Sequence, residues 1–255
     1  LTVLEPWPDG PHFRVDEALK HVCLSTDALV PLMRTRPKIA REVILALLIK
    51  LRPLEGLPFQ DTSILGDDVG IQNLSQFYPR FYFKGPFLMF LQVNEKHGLD
   101  TIIRLVNFAT ERWADNVRSE GHKPQYVEPL DNGRSRRLLG DFKVFYWYRG
   151  STLSWYSDVV TSALMALEKW IYSKLESHDS VDKLVHEIFE KGTSVALGGL
   201  LCEVGRRQAD LFKGVLRPLL SVAEFYEWEA EYYRKGMYNF DEIVVKYYKD
   251  QIVAL

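Results

Sequence analysis

The chain has little cysteine, almost no net charge and no long apolar run, and each shortage closes off a class of protein. Two cysteines among 255 residues, Cys23 and Cys202, are too few for a disulfide framework and too far apart for a zinc site. Both read as buried thiols of a reducing compartment. A formal charge of -2 gives no general attraction to DNA, RNA or an anionic membrane, so a nucleic-acid role would need a local basic patch. The longest apolar runs, VILALLI at 43–49 and VALGGLLC at 195–202, fall far short of the ~20 residues that span a bilayer. No basic-then-apolar leader opens the chain, so the expected location is the cytoplasm, with no membrane partner.

What is present is the composition of a folded protein. With 47% hydrophobic and 13% aromatic residues, the chain has enough apolar surface for a substantial core. Helical periodicity dominates. Asp16 is placed to cap a first helix toward Ser25, and Pro37 stands at the start of IAREVILALLIKL. Residues 53–85 carry Pro, Gly and Asp too often for one long element and read as loop and turns. Pro86 opens FLMFLQVNEKH, with Gly98 read as its end, and Asp100 begins a longer helix with Ile102, Ile103, Val106, Ala109, Trp113 and Val117 on one face. SWYSDVVTSALMALEKWIYSKLES carries a second stripe from Tyr156 to Ile171. Asp179 is placed to cap SVDKLVHEIFEK, Thr193 or Ser194 the segment after it, and Pro218 interrupts LFKGVLRPLL.

Between the helices the character changes. YVEPLDNGRSRRLLGDFKVFYWYRG has an Asp-Asn-Gly turn signal and flanking β-formers, and reads as an inserted β-hairpin whose return strand is FKVFYWYRG. The expected fold is therefore mainly α: antiparallel helix pairs, as an α-solenoid or irregular bundle, with a β-hairpin near 124–150. The whole chain, 1–255, reads as one helical unit, divisible into N-terminal helices (1–118), the hairpin insertion (119–152) and C-terminal helical repeats (153–255). The chain begins without Met and stops on the apolar face of FDEIVVKYYKDQIVAL, so the expectation is a segment of a longer protein.

EKGTSVALGGLLCEVGRR at 190–207 holds the ingredients of a phosphate-binding loop in the wrong order. A Walker loop places its Lys after the last Gly, whereas Lys191 precedes Gly192, and no strand feeds the segment. Glycine inside a helix costs about 0.5–1 kcal/mol relative to Ala, most easily offset where another element approaches without room for a side chain. Gly198, Gly199 and Gly205 therefore read as packing glycines, with no cofactor expected.

Other chemistry is thin. His186-Glu187-Ile188-Phe189-Glu190 begins like H-E-x-x-H but has Glu in place of the second His, so no metal is expected. Asp67-Asp68, between Gly66 and Gly70, reads as a turn-forming acidic loop. No catalytic residues can be named. Interaction chemistry concentrates on the hairpin, where Arg134, Arg136 and Arg137 follow the turn and Tyr146, Tyr148 and Arg149 lie on the expected return strand. Arginine with interleaved aromatics suits a protein hot spot or stacking on bases.

The stretch from SALMALEKWIYSKLE through VALGGLLCEVGRRQADLFKGVLRPLL, about residues 155–220, resembles paired helices of a HEAT- or armadillo-like α-solenoid. It is also similar in texture to helical regions of large bacterial STAND-type NTPase defence proteins. That resemblance implies a non-catalytic sensor, scaffold or interaction region of a multidomain antiphage protein, with any NTPase outside this segment. Its partners would be another protein or neighbouring domains of the same chain. The alternatives are an all-α enzyme with an inter-helix site, around Asp67, Asp68 and the hairpin, or nucleic-acid binding through the arginines.

Overall fold

The computed structural model describes residues 4–6, 13–15, 17–25, 27–49, 69–72, 74–131, 134–149 and 157–234. Asp16, the Asp67-Asp68 loop, Asn132-Gly133, Tyr156 and the C-terminal stretch 240–255 lie outside them. A short antiparallel ladder that the sequence did not announce pairs β1 (Leu4–Pro6) with β2 (Phe13–Val15). The N-terminal helices follow as α1 (Glu17–Cys23), α2 (Val30–Thr35) and α3 (Pro37–Leu48). Pro37 occupies the first helical position of α3, where its missing N–H is harmless.

A short helix and a long one follow. α4 (Phe87–Val93) ends at Asn94, whose side chain accepts from the His97 backbone N–H and so caps α5 (Glu95–Ser119). The longer helix thus starts five residues before Asp100, and Gly98 lies within it rather than closing the one before. A Cβ on Gly98 would come within 2.7 Å of the Leu91 amide nitrogen. The glycine allows α4 and α5 to touch backbone to backbone. Ile102, Ile103, Val106 and Ala109 are buried as their spacing predicts, while Trp113 and Val117 are half-buried.

The hairpin is present but shorter than expected. β3 (Tyr126–Val127) pairs with β6 (Leu138–Leu139), and inside that ladder β4 (Leu130–Asp131) pairs with β5 (Arg134–Ser135). The return strand ends at Leu139. Gly140 follows at φ +134°, a conformation that other residues rarely adopt, and Asp141 then accepts from the Lys143 and Val144 N–H groups at 2.9 and 3.1 Å. This cap starts α6 (Phe142–Phe145), and a 3-10 turn, Trp147–Arg149, continues it. The aromatic run that the sequence suggested as a strand is therefore helical, and Val144 through Tyr148 are buried. A turning glycine followed by a capping aspartate outweighs the β-propensity of aromatics.

The remaining helices are α7 (Asp158–Glu176), α8 (Asp182–Lys191), α9 (Val195–Arg207) and α10 (Ala223–Arg234), with two 3-10 turns, Ala209–Lys213 and Arg217–Ser221, on either side of Gly214. α8 begins later than the sequence suggested: Ser180, not Asp179, accepts from the Asp182 N–H. Ser194 caps α9 by accepting from Ala196. The molecule is mainly α, and β-structure among the described residues is limited to three two-stranded ladders and two isolated bridges, Ile49 with Ile71 and Leu139 with Ser194. One continuous core runs from Leu24 to Tyr232, drawing on α3, α4, α5, α7 and α9 and on the aromatics after the hairpin.

α9 meets this core through its glycines. A Cβ on Gly199 would collide with the Phe145 carbonyl oxygen, one on Gly198 would approach the Phe225 ring, and one on Gly205 would enter the Phe212 ring. The first obstacle is backbone and cannot rotate away. Gly199→Ala is therefore expected to destabilise by about 1–3 kcal/mol, the usual cost of overpacking, read as a lower urea midpoint. An unchanged midpoint would mean that α9 and α6 separate at no cost.

Candidate functional site

The hairpin sorts its arginines. Tyr126, Glu128 and Leu130 alternate outward on one strand while Val127 and Pro129 turn inward. Between β5 and β6, Arg137 faces out and Arg136 turns toward α8. Arg136 donates to the Phe189 carbonyl and pairs with Glu190, tying the hairpin to the end of α8. Arg137 remains 64% exposed, 3.5 Å from Glu128 and stacked 3.9 Å above the Tyr126 ring. Arg134 contributes its backbone to β5, and its side chain lies outside the described residues.

Neighbouring elements extend the outer face. The Leu130 N–H donates to Ser221 Oγ at 2.8 Å, and Tyr226, 56% exposed, donates its hydroxyl to the Leu220 carbonyl at 3.2 Å. Leu130 and Leu220 are themselves exposed. Tyr126 and Arg137 thus make one exposed pair on the hairpin, and Leu130, Leu220 and Tyr226 are exposed around Ser221 beside it.

Tyr146, Tyr148 and Arg149 lie elsewhere. Both tyrosines are buried, and they surround the Arg149 guanidinium, which also sits 4.5 Å above the Tyr232 ring. Arg149 donates to Tyr148 Oη at 2.8 Å and to Glu203 Oε2 at 2.9 Å, with Glu229 at 3.7 Å. Arg206 pairs with Glu229 at 2.6 Å and with Glu203 as well. Burial works against the Arg149 charge, but Tyr148, Glu229 and Glu203 outweigh it and hold the group protonated. Burial, then Glu229, pushes the Tyr146 hydroxyl far above its ordinary range. This cluster joins the 3-10 turn, α9 and α10 and offers a partner little surface.

Glu203 also lines a cleft of about 250 Å³ between α7 and α9. On α7, Met165, Glu168, Lys169 and Tyr172 share one face by i, i+3, i+4 and i+7 spacing, and Arg207 lies one turn beyond Glu203 on α9. Tyr172 donates its hydroxyl to Glu168 Oε1 at 2.7 Å, and the Arg207 guanidinium lies 4.4 Å above the same ring. Burial raises the Glu168 carboxyl above its ordinary value, against the Tyr172 hydrogen bond and Arg207 and Arg149, with Glu203 adding to the rise. The sequence reading missed this cleft because its charged residues interrupt helices otherwise read as apolar stripes. The available signal was two polar pairs at i, i+4: Glu168 with Tyr172, and Glu203 with Arg207.

The residues that suggested a phosphate loop or a metal are engaged in structure. Lys191 pairs with Glu187 at 2.5 Å and with Asp100 at 3.4 Å. Asn107 holds the following turn, donating to the Lys191 carbonyl at 2.8 Å and accepting from the Thr193 N–H at 2.9 Å. Asp100 also meets Arg41 at 2.5 Å; burial opposes its charge, but Lys191, Arg104 and Arg41 outweigh that and keep its carboxyl below the ordinary range. No group of three His, Cys, Asp or Glu side chains among the described residues is placed to hold a metal, and no described helix is long and apolar enough to cross a membrane. No family model matches the chain, and no curated protein matches it.

Two measurements test these assignments. Arg136→Ala is expected to lower stability by about 0.5–1.5 kcal/mol through its lost bonds to α8. Arg137→Ala should stay within about 0.5 kcal/mol of the parent in the same chemical denaturation, and equal losses would contradict the inward–outward sorting. Because the folded state holds the Glu168 proton more tightly than the unfolded chain, stability from this group is full below its ordinary value of about 4.5 and falls as pH rises through the raised value. Glu168→Gln should remove that fall, giving a flatter curve of melting temperature against pH from mildly acidic to neutral. A curve parallel to the parent would show that Glu168 is not desolvated.

Proposed function

We propose that this chain is a non-catalytic helical interaction region that binds a protein partner through the outer face of its hairpin. The observation that carries this reading is the exposure of Tyr126 and Arg137 on the hairpin and of Leu130, Leu220 and Tyr226 beside it. Tyrosine and arginine dominate binding hot spots, and single apolar residues gain that character when they adjoin. The fitting partner is a protein surface with an apolar patch and a carboxylate that can replace Glu128 beside Arg137. Nucleic acid fits less well, because Arg136 is turned inward onto Glu190 and Arg137 already has a carboxylate neighbour.

The helical texture of residues 155–220 supports a scaffold role of the α-solenoid kind within a longer protein of the STAND defence type, any nucleotide chemistry lying outside this region. The two free thiols, Cys23 and Cys202, support a reducing cytoplasmic setting.

Affinity capture from the source cells, with and without nuclease, tests the surface. A Tyr126→Ser, Leu130→Ser, Arg137→Ser triple variant should lose a protein partner that the parent and an Ile39→Ser control both retain. Direct binding to that partner should weaken about tenfold or more, the scale of one hot-spot residue. A triple variant that keeps every interaction of the parent would overturn the proposal, and a loss that nuclease treatment reproduces would move the assignment to nucleic acid.

A further inference from the structure

The α7–α9 cleft brings charges of both signs together on its walls. Arg41, Arg80, Arg136, Arg149, Lys174, Lys191 and Arg206 all reach carboxylates. Glu168, Lys169 and the exposed Arg207 line this open cleft, yet none of the three has an ion-pair partner among the described residues. Tyr172 accounts for the separation. Its hydroxyl holds the Glu168 carboxyl, and its ring face holds the Arg207 guanidinium, so the two opposite charges are fixed by one side chain instead of meeting. Glu203 adds a second carboxylate on the α9 wall. Both arginines that it binds use Oε2, which leaves Oε1 outside those bonds. Met165 and Tyr82 complete the lining with a thioether and an aromatic ring.

We propose that this cleft binds a small zwitterion of the amino-acid class, its carboxylate taken by Arg207 and Lys169 and its ammonium by Glu168 and Glu203. Opposite charges that are held apart on the walls of one open cleft are complementary to a ligand that carries both. Tyr172 holds its two partners in place before any ligand arrives, which lowers the entropy lost on binding. The volume of about 250 Å³ suits a single amino acid with its side chain along Met165 and Tyr82. The site stands on different residues from the hairpin face, so either proposal can fail alone.

Calorimetric titration of the chain with each of the twenty proteinogenic L-amino acids, singly, provides the test. At least one should bind saturably, and its des-amino and decarboxylated analogues should each bind about tenfold more weakly or worse. Glu168→Gln should weaken the amino acid and its amine analogue but not the carboxylate analogue, and Arg207→Gln should do the reverse. Tyr172→Phe keeps the ring and removes only the hydroxyl that holds Glu168. It should weaken the amine-bearing ligands even if the Glu168 variant fails to fold. No saturable response to any amino acid would overturn the proposal, as would an analogue with one charge that binds as tightly as the zwitterion.

Discussion

The close approach of α9 to the Phe145 backbone is the contact on which the rest of the structure depends. It exists because residue 199 has no side chain, and it is fixed because the atom opposite is a carbonyl oxygen rather than the end of a flexible side chain. With that contact made, the Phe145 ring stands against Tyr146, Phe225 and Trp228, at centroid distances of 5.0, 4.8 and 5.3 Å. α10 is thereby held to the segment after the hairpin. The same approach brings Arg149, four residues beyond Phe145, to Glu203, four residues beyond Gly199. One glycine therefore positions both an aromatic stack and an ionic cluster.

That ionic cluster follows the rule that charge taken out of water must be met by opposite charge and hydrogen bonds. Arg149 has three aromatic faces around it and carboxylates from two helices, so its desolvation is compensated on every side. Replacing such a cluster with apolar residues of like volume often costs nothing in stability. Its value here lies in registration, because the arginine has few other places to go and so sets α10 against α9. Glu203 faces both the cluster and the cleft, which couples the packing of α10 to the electrostatics of the cleft.

A second set of polar ties holds the turn between α8 and α9. Asn107 bonds to both sides of that turn, Thr110 donates to Ser194 Oγ at 2.7 Å, and the Leu139 N–H donates to the Thr193 carbonyl at 2.6 Å. The backbone groups near the start of α9 are thus satisfied by α5 and the hairpin. This turn is where the hairpin, α5, α8 and α9 meet, and Arg136 adds its own bond to the end of α8.

The helices were legible because their causes are local. Pro37 at a helix start, the apolar spacing of α5 and α7, Ser194 before α9 and the packing character of the glycines all follow from short-range rules. The errors arose where two local signals competed. Gly98 reads as a helix end until Asn94 is seen to cap and the Leu91 backbone is seen to lie against it. The aromatic run after Gly140 reads as a strand until Asp141 is seen to cap a helix. Adjacent Arg136 and Arg137 look alike in a row of letters, although one turns to Glu190 on α8 and the other onto the Tyr126 ring. The sequence by itself determined the helical class, the existence of the hairpin and the need for close contact along α9. Only the tertiary structure decided that Tyr146, Tyr148 and Arg149 are interior and that Glu168, Glu203 and Arg207 share a cleft. Burial and the pairing of charges depend on residues tens of positions apart, and no periodicity within a single element encodes them.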